Sequence, residues 1–218
     1  AHHRSEFILK SEQARFAIPI TSSSTGLTLG DWVLIDDHQH LVRPLDRKSF
    51  FSRKAPGTSL SRQAIAANID TVFIVSSLNH DVNLNRIERY LAMAHEANVE
   101  PVVVLSKADL CEDVEAKRHA VQALSPLLIV ETLNALDAEE CAVLLPWCKS
   151  GQTVSLLGSS GVGKSTLINS LLKEDVQITG TIRDDDSKGR HTTTSRSMHF
   201  IPGDGINIDS QGKRRPPR

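Results

Sequence analysis

The chain has 218 residues, of which 39% are hydrophobic, and its formal net charge at pH 7 is −1. This size suits one medium globular domain, or a small domain beside a larger one. No apolar run approaches the roughly 20 residues of a transmembrane helix, and residues 1–7 contain no apolar signal-peptide core. We therefore expect a cytoplasmic protein without a membrane partner.

The cysteines and histidines follow no metal-binding or redox spacing. Cys111, Cys141 and Cys148 are odd in number and form no C-x-x-C pair, so reduced, buried thiols are expected instead of a zinc site or a disulfide framework. The nine histidines are scattered along the chain, which argues against metal ligation by histidine.

Residues 1–60 alternate between short β-prone segments and turns. Short strands without helices between them predict a small β-barrel. Residues 54–59, Lys-Ala-Pro-Gly-Thr-Ser, then predict a linker. The predicted strands cover residues 7–9, 14–18, 32–35 and 41–42.

A basic segment, residues 43–62, holds six Lys and Arg residues against one acid, Asp46. Two interpretations stay open. The segment could bind RNA through phosphate contacts and stacking on Phe50 and Phe51, or it is a solvated connector whose phenylalanines fill a domain interface. The expected phosphate contacts are Arg47, Lys48, Arg53 and Lys54.

Strands and helices alternate from about residue 64, which is typical of an α/β domain. Helices are predicted at residues 85–97, 112–124 and 138–148, and another follows residue 164. Six strands are predicted for one sheet, at residues 70–76, 101–105, 127–130, 153–157, 197–201 and 206–209.

Ser106, Lys107, Ala108 and Asp109 directly follow the predicted strand 101–105. Alone, they also fit an ordinary surface turn. Beside a phosphate-binding loop they predict guanine recognition, because Asp109 would accept hydrogen bonds from guanine N1–H and the exocyclic amine, a donor pair that adenine lacks. The stem of Lys107 would lie over the base or the phosphate loop. Such loops usually begin with Asn, and Ser106 can replace only part of its hydrogen bonding.

Residues 158–165, Gly-Ser-Ser-Gly-Val-Gly-Lys-Ser, match the phosphate-binding P-loop pattern between a strand and a helix. The glycines let backbone N–H groups surround phosphate oxygens, and the helix N-terminus adds partial positive charge. Lys164 is expected to reach the β- and γ-phosphates as a catalytic residue, and Ser165 to ligate Mg²⁺. The predicted nucleotide contacts here are Gly158, Ser159, Ser160, Gly161, Val162, Gly163, Lys164, Ser165 and Thr166.

The order of the two loops is unusual. Ordinary GTPases have the phosphate loop first and the base loop later, whereas here the base loop comes first. The sequence therefore predicts a circularly permuted GTPase domain, in which old termini are joined and a loop is cut without disturbing the packed core.

Residues 180–196 are polar and charged, and their distance from the P-loop favours a switch loop over an ordinary solvated one. One threonine of 192–194 should contact Mg²⁺ and the γ-phosphate, and Thr193 is our choice. Asp209 would hold Mg²⁺ through water.

Lys213 stands where many GTPases carry a water-orienting Gln, which predicts slow intrinsic hydrolysis. His191 could orient the water instead, although an ordinary surface histidine fits equally well.

Further stretches include Gly-Asp-Trp-Val at 30–33, Arg-Lys-Ser-Phe-Phe-Ser-Arg-Lys at 47–54, Gln-Ala-Ile-Ala-Ala-Asn-Ile-Asp at 63–70 and Gly-Arg-His-Thr-Thr-Thr at 189–194. With the P-loop, they make the sequence resemble the bacterial ribosome small subunit-dependent GTPase A family over nearly its whole length. The resemblance implies an N-terminal OB-fold, a permuted GTPase domain and a C-terminal zinc-binding domain. It also implies GTP hydrolysis stimulated by the small ribosomal subunit and its rRNA during late subunit maturation.

The sequence departs from that family near its end. Asp-Ser-Gln-Gly at 209–212 replaces an expected Asp-Thr-Pro-Gly, and a basic, disordered tail is expected at 213–218. No zinc domain follows in this sequence, so GTP or GDP and Mg²⁺ are the expected cofactors, without zinc. The expected domains are a barrel at 1–60 and the GTPase domain at 61–212, in a monomer.

Two other functions stay open. The chain could be an ATP-dependent P-loop enzyme, if residues 106–109 resemble a guanine loop by coincidence. It could also be a nucleotide- and RNA-binding protein that has lost turnover by truncation.

Overall fold

The computed structural model describes residues 6–11, 14–21, 24, 26–54, 62–79, 82–172, 197–201 and 205–209. The described residues of the N-terminal part form three antiparallel strand pairs. They are β1 (Glu6–Lys10) with β2 (Arg15–Pro19), β3 (Val33–Ile35) with β4 (Leu41–Pro44), and β5 (Phe50–Lys54) with β6 (Arg62–Ala67). The β-strand character predicted for this region is confirmed, and the strands pair antiparallel. Closure into an OB-type barrel stays a prediction.

The β5–β6 pair was not predicted, since neither Phe-Phe-Ser-Arg-Lys nor Arg-Gln-Ala-Ile-Ala-Ala shows the alternation of a half-buried strand. β5 is nevertheless part of the core, because Phe51 is only 3% exposed and packs in one cluster with Leu29 and Ala66. Because β6 pairs with β5 across the predicted linker, we propose a domain boundary after Ala67, rather than at residue 60.

The α/β part is built on one six-stranded sheet, as predicted. Its strands are β7 (Thr71–Ser77), β8 (Glu100–Ser106), β9 (Ile129–Leu133), β10 (Thr153–Leu157), β11 (Ser197–Ile201) and β12 (Gly205–Asp209). The spatial order is β11-β12-β10-β7-β8-β9, and only β11 runs antiparallel to its neighbour. The strand that precedes the P-loop, β10, is therefore central in space although it comes late in the chain.

Among the residues that the structure describes, four α-helices accompany the sheet: α1 (Leu84–Glu96), α2 (Val114–Gln122), α3 (Ala138–Cys141) and α4 (Lys164–Leu172). The side chains of Asn83, Asp113 and Asp137 cap the first three by accepting backbone N–H bonds. The predicted helix 138–148 changes after Cys141 to a 3₁₀ helix, Ala142–Trp147, because Pro146 has no N–H to continue an α-helix.

Both faces of the sheet are covered. Val72 and Ile74 of β7 pack in the cluster that contains Leu91 of α1, whereas Phe73 and Val75 pack in the cluster that contains Leu167 of α4. This alternation is expected of a strand buried on both sides. Within the described part of the chain, no helix is long and apolar enough to cross a membrane.

Candidate functional site: two loops at the carboxyl edge of the sheet

The phosphate loop leaves the end of β10 in contact with the neighbouring strand. A Cβ atom added at Gly158 would collide with the carbonyl oxygen of Val75, so only glycine fits here. Gly161 and Gly163 have φ values of 80° and 93°, which strain any L side chain. These glycines bend the loop so that α4 starts at Lys164 with its N-terminus toward the loop, the geometry of a phosphate site.

Lys164 contacts the loop that it follows. Its Nζ donates to the carbonyl oxygens of Gly158 and Ser159 at 2.8 and 2.5 Å. The ammonium therefore lies beside the loop whose bound phosphates it is predicted to neutralise. Ser165 and Thr166, the next two residues of α4, are partly buried.

The predicted base loop follows β8, two strands away from β10. Ser106 is completely buried, and its hydroxyl lies 2.6 Å from the carbonyl oxygen of Val162 in the phosphate loop. The hydroxyl is also 3.4 Å from the carbonyl oxygen of Ser76. The structure thus brings the base loop and the phosphate loop together. The residue that joins them is Ser106, which stands where such loops usually carry Asn.

The rest of the base loop turns outward. Lys107 has a φ of 58° and precedes the 3₁₀ turn Ala108–Leu110, and Asp109 is exposed. A left-handed backbone is uncommon for lysine and often marks a functional turn. It turns the chain so that Asp109 leaves the buried strand.

A third loop was missed by the sequence analysis. Asn134, Ala135 and Leu136 follow β9 beside the base loop, since Leu133 pairs with Ser106. Glu140 Oε2 accepts the Asn134 N–H at 2.6 Å, and the Ala135 carbonyl oxygen accepts the Ser170 hydroxyl of α4 at 2.7 Å. The sequence signal for this loop is Asn134, a polar residue directly after β9. It was overlooked because the strand was predicted too early, at residues 127–130.

The predicted switch and its residues, His191 and Thr193, lie outside the described residues. Asp209 ends β12, paired with Ser197, and only its backbone is described. In the described ranges, no group of three or more His, Cys, Asp or Glu side chains could hold a metal ion. The Mg²⁺ ligands and the expectation of no zinc therefore stay predictions.

The structure gives one of the expected phosphate contacts, Arg47, partners within the protein. Arg47 Nε and Nη2 donate to the two carboxylate oxygens of Asp31, both at 2.7 Å, and Nη2 also reaches the Gly26 carbonyl oxygen at 2.8 Å. Its guanidinium lies 4.5 Å from the ring centroid of Phe50. Nε and Nη2 of Arg47 are therefore engaged within the protein, which gives this residue a structural role. Its RNA contact stays a prediction. Buried Phe51 cannot stack on RNA, which favours the interface interpretation for that phenylalanine.

Known proteins are similar to this chain in sequence. The family model described as RsgA GTPase matches residues 44–216. The chain is 59% identical over 214 residues to the small ribosomal subunit biogenesis GTPase RsgA 2 of Vibrio parahaemolyticus, covering 98% of this chain and 60% of that protein. It is 52% identical over 190 residues to the small ribosomal subunit biogenesis GTPase RsgA of Mesorhizobium japonicum, covering 85% of this chain and 55% of that protein. The chain thus spans 55–60% of the length of these two curated relatives.

Solved structures agree on the fold. YjeQ from Thermotoga maritima superposes with a TM-score of 0.69 at 22% identity, covering 96% of this chain and 72% of that one. YloQ, described as a circularly permuted GTPase, superposes with a TM-score of 0.57 at 19% identity, covering 95% of this chain and 67% of that one. The predicted permuted GTPase fold is confirmed, and since the family model covers most of the chain, the chain belongs to the RsgA GTPase family.

Proposed function

We propose that this chain binds GTP and hydrolyses it to GDP and phosphate while acting on the small ribosomal subunit late in its maturation. The names of its relatives support this proposal. The observation that carries it is the 2.6 Å contact between Ser106 and Val162, which fixes the base loop against the phosphate loop.

Guanine selection rests on the base loop. The Asp109 carboxylate would accept hydrogen bonds from guanine N1–H and the exocyclic amine. Asp109 is exposed, so a base can reach it. The stem of Lys107 would cover one face of the ring. We add the loop Asn134–Leu136 as a further wall of the same pocket, because Glu140 and Ser170 hold it beside the base loop.

Phosphate binding rests on the P-loop. The bends at Gly161 and Gly163 expose backbone N–H groups to an anion, and Lys164 would exchange its carbonyl contacts for the β- and γ-phosphates. Ser165 would ligate Mg²⁺, with Thr193 and Asp209 completing the site, because hydroxyl and carboxylate oxygens are the ligands that this hard cation prefers. Bound Mg²⁺ would neutralise charge that develops on the phosphates.

Ribosome binding is proposed for the N-terminal hairpins. With Arg47 engaged by Asp31, the remaining candidates for rRNA phosphate contacts are Lys48, Arg53 and Lys54. We further propose a cytoplasmic monomer, as expected of a GTPase that meets ribosomal subunits one at a time.

The test is phosphate release from GTP, measured with and without small ribosomal subunits, with Lys164→Ala as the inactive control. The proposal predicts slow release by the chain alone, acceleration by subunits, and loss of both in the variant. Nucleotide binding without release under either condition would instead support a binding protein without turnover. Equal release from ATP would support an ATP-dependent enzyme.

A further inference from the structure

Helix α1 contacts the phosphate loop through an arginine. Arg86 lies in the first turn of α1, where the Asn83 side chain accepts its backbone N–H at 3.0 Å. Its Nη1 donates to the hydroxyl of Ser159 at 2.7 Å in a partly buried setting. This contact joins residues 73 positions apart in the chain, so it fixes the loop against an element outside its own strand and helix.

Ser159 is held from two directions. Arg86 bonds its side chain, while Lys164 bonds its backbone carbonyl oxygen at 2.5 Å. Two cations therefore converge on one residue of the loop. Like charges in close proximity repel one another, and a bound anion relieves that repulsion.

The position of Arg86 is also electrostatically unfavourable for its helix. The first turn of α1 contains no acidic residue, and a cation at a helix N-terminus opposes the positive end of the helix dipole. A residue that violates a local rule in this way is expected to serve a site rather than the helix. The candidate site that Arg86 contacts is the phosphate loop, through Ser159.

We propose that Arg86 is a positioning residue for the phosphate loop. It holds Ser159 so that the loop keeps the curvature that binds a nucleotide polyphosphate, and its charge adds to that of Lys164. The nucleotide part of this inference rests on the proposed function, whereas the effect on the loop itself does not.

The experiment compares Arg86→Ala, Arg86→Lys, Ser159→Ala and the Arg86→Ala/Ser159→Ala double variant with the parent. Arg89→Ala is the matched control, because Arg89 is the same residue type one turn later on α1 and is exposed. Amide hydrogen exchange of residues 158–163 is measured in the nucleotide-free protein, and GTP and GDP affinities are measured by titration calorimetry.

We expect faster exchange of the loop in Arg86→Ala and about tenfold weaker nucleotide binding, the size of a lost charge-assisted hydrogen bond. Arg86→Lys should recover part of the affinity. The double variant should bind about as weakly as Arg86→Ala, because the Ser159 hydroxyl has lost its contact once Arg86 is removed. Arg89→Ala should match the parent.

The hydrogen-exchange and affinity measurements distinguish a failure of the Arg86 positioning role from a failure of the proposed GTPase function. Loop exchange in Arg86→Ala equal to that of Arg89→Ala overturns the positioning role, even if GTP binds. Faster loop exchange in a protein whose parent form binds no GTP supports the positioning role and overturns the proposed function instead.

Discussion

The hydroxyl oxygen of Ser106 lies 2.6 Å from the carbonyl oxygen of Val162, which ties the loop after β8 to the loop after β10. Ser106 has no exposed surface, so no solvent replaces this bond. The contact means that the position of the base loop depends on the phosphate loop.

The first prediction concerns this bond. Ser106→Ala removes the hydroxyl donor and leaves the buried Val162 carbonyl oxygen without this hydrogen bond. The free energy of unfolding should fall by about 1–3 kcal/mol. Because the base loop also loses its bond to the phosphate loop, GTP and GDP affinities should fall by roughly fivefold. Ser150→Ala, a change at an exposed serine, is the control for calorimetric titration. Unchanged affinity in Ser106→Ala would show that the two loops bind independently.

A second prediction separates structure from RNA binding at Arg47. Its partner Asp31 is only 3% exposed at the side chain, and the Asp31 hydrogen bond raises the pKa of Arg47. Arg47→Ala leaves this carboxylate with fewer partners, and we expect a loss of about 2 kcal/mol in the free energy of unfolding. Urea denaturation measures this loss, with exposed Arg43→Ala as the control. Equal midpoints for the two variants would refute a structural role.

The third prediction concerns Lys48, Arg53 and Lys54. Neutralising all three should weaken small-subunit binding and lower the slope of log affinity against log salt by about two to three, because fewer counterions are released. GTP affinity without ribosomes should not change. Pelleting across a salt series tests this, with neutralised Lys10, Arg89 and Lys149 as the control. Intact binding with an unaltered slope would identify the segment as a solvated connector.

The fourth prediction concerns the thiols. Burial raises the pKa of Cys148 from 9.0 to about 12, and burial also raises the pKa of Cys141, whereas Cys111 is partly exposed. The raised pKa of Cys148 makes the free energy of unfolding fall as the pH rises from about 9 toward 12, because the thiol ionises first in the unfolded chain.

Alkylation at about pH 8.5 should modify Cys111 before Cys141 and Cys148, because the thiolate is the reactive form. Mass spectrometry of the labelled protein would contradict this order if Cys148 reacted first.

The sequence predicted the sheet and both loops because their signals are local. The buried strand 153–157 and the glycines after it can be read without knowing any partner. β9 was placed too early because Leu127 extends an apolar run, although it is 93% exposed in the structure and pairing with β8 determines the strand.

Long-range contacts explain what the sequence could not predict. Nothing local to Arg47 indicates Asp31, 16 residues away, or distinguishes a structural arginine from an RNA contact. The same holds for Arg86, which only the fold brings to Ser159. The loop at residues 134–136 lies beside the base loop only because its strand, β9, pairs with β8.

The central claim is that residues 106–109 and 158–165 form one guanine-nucleotide site. Titration of the parent chain and Asp109→Ala with GTP, GDP and ATP tests it most directly. The account predicts that the parent binds GTP and GDP far more tightly than ATP, and that Asp109→Ala loses most of this preference, because the guanine donor pair loses its acceptor. Equal affinity of the parent for GTP and ATP would contradict it.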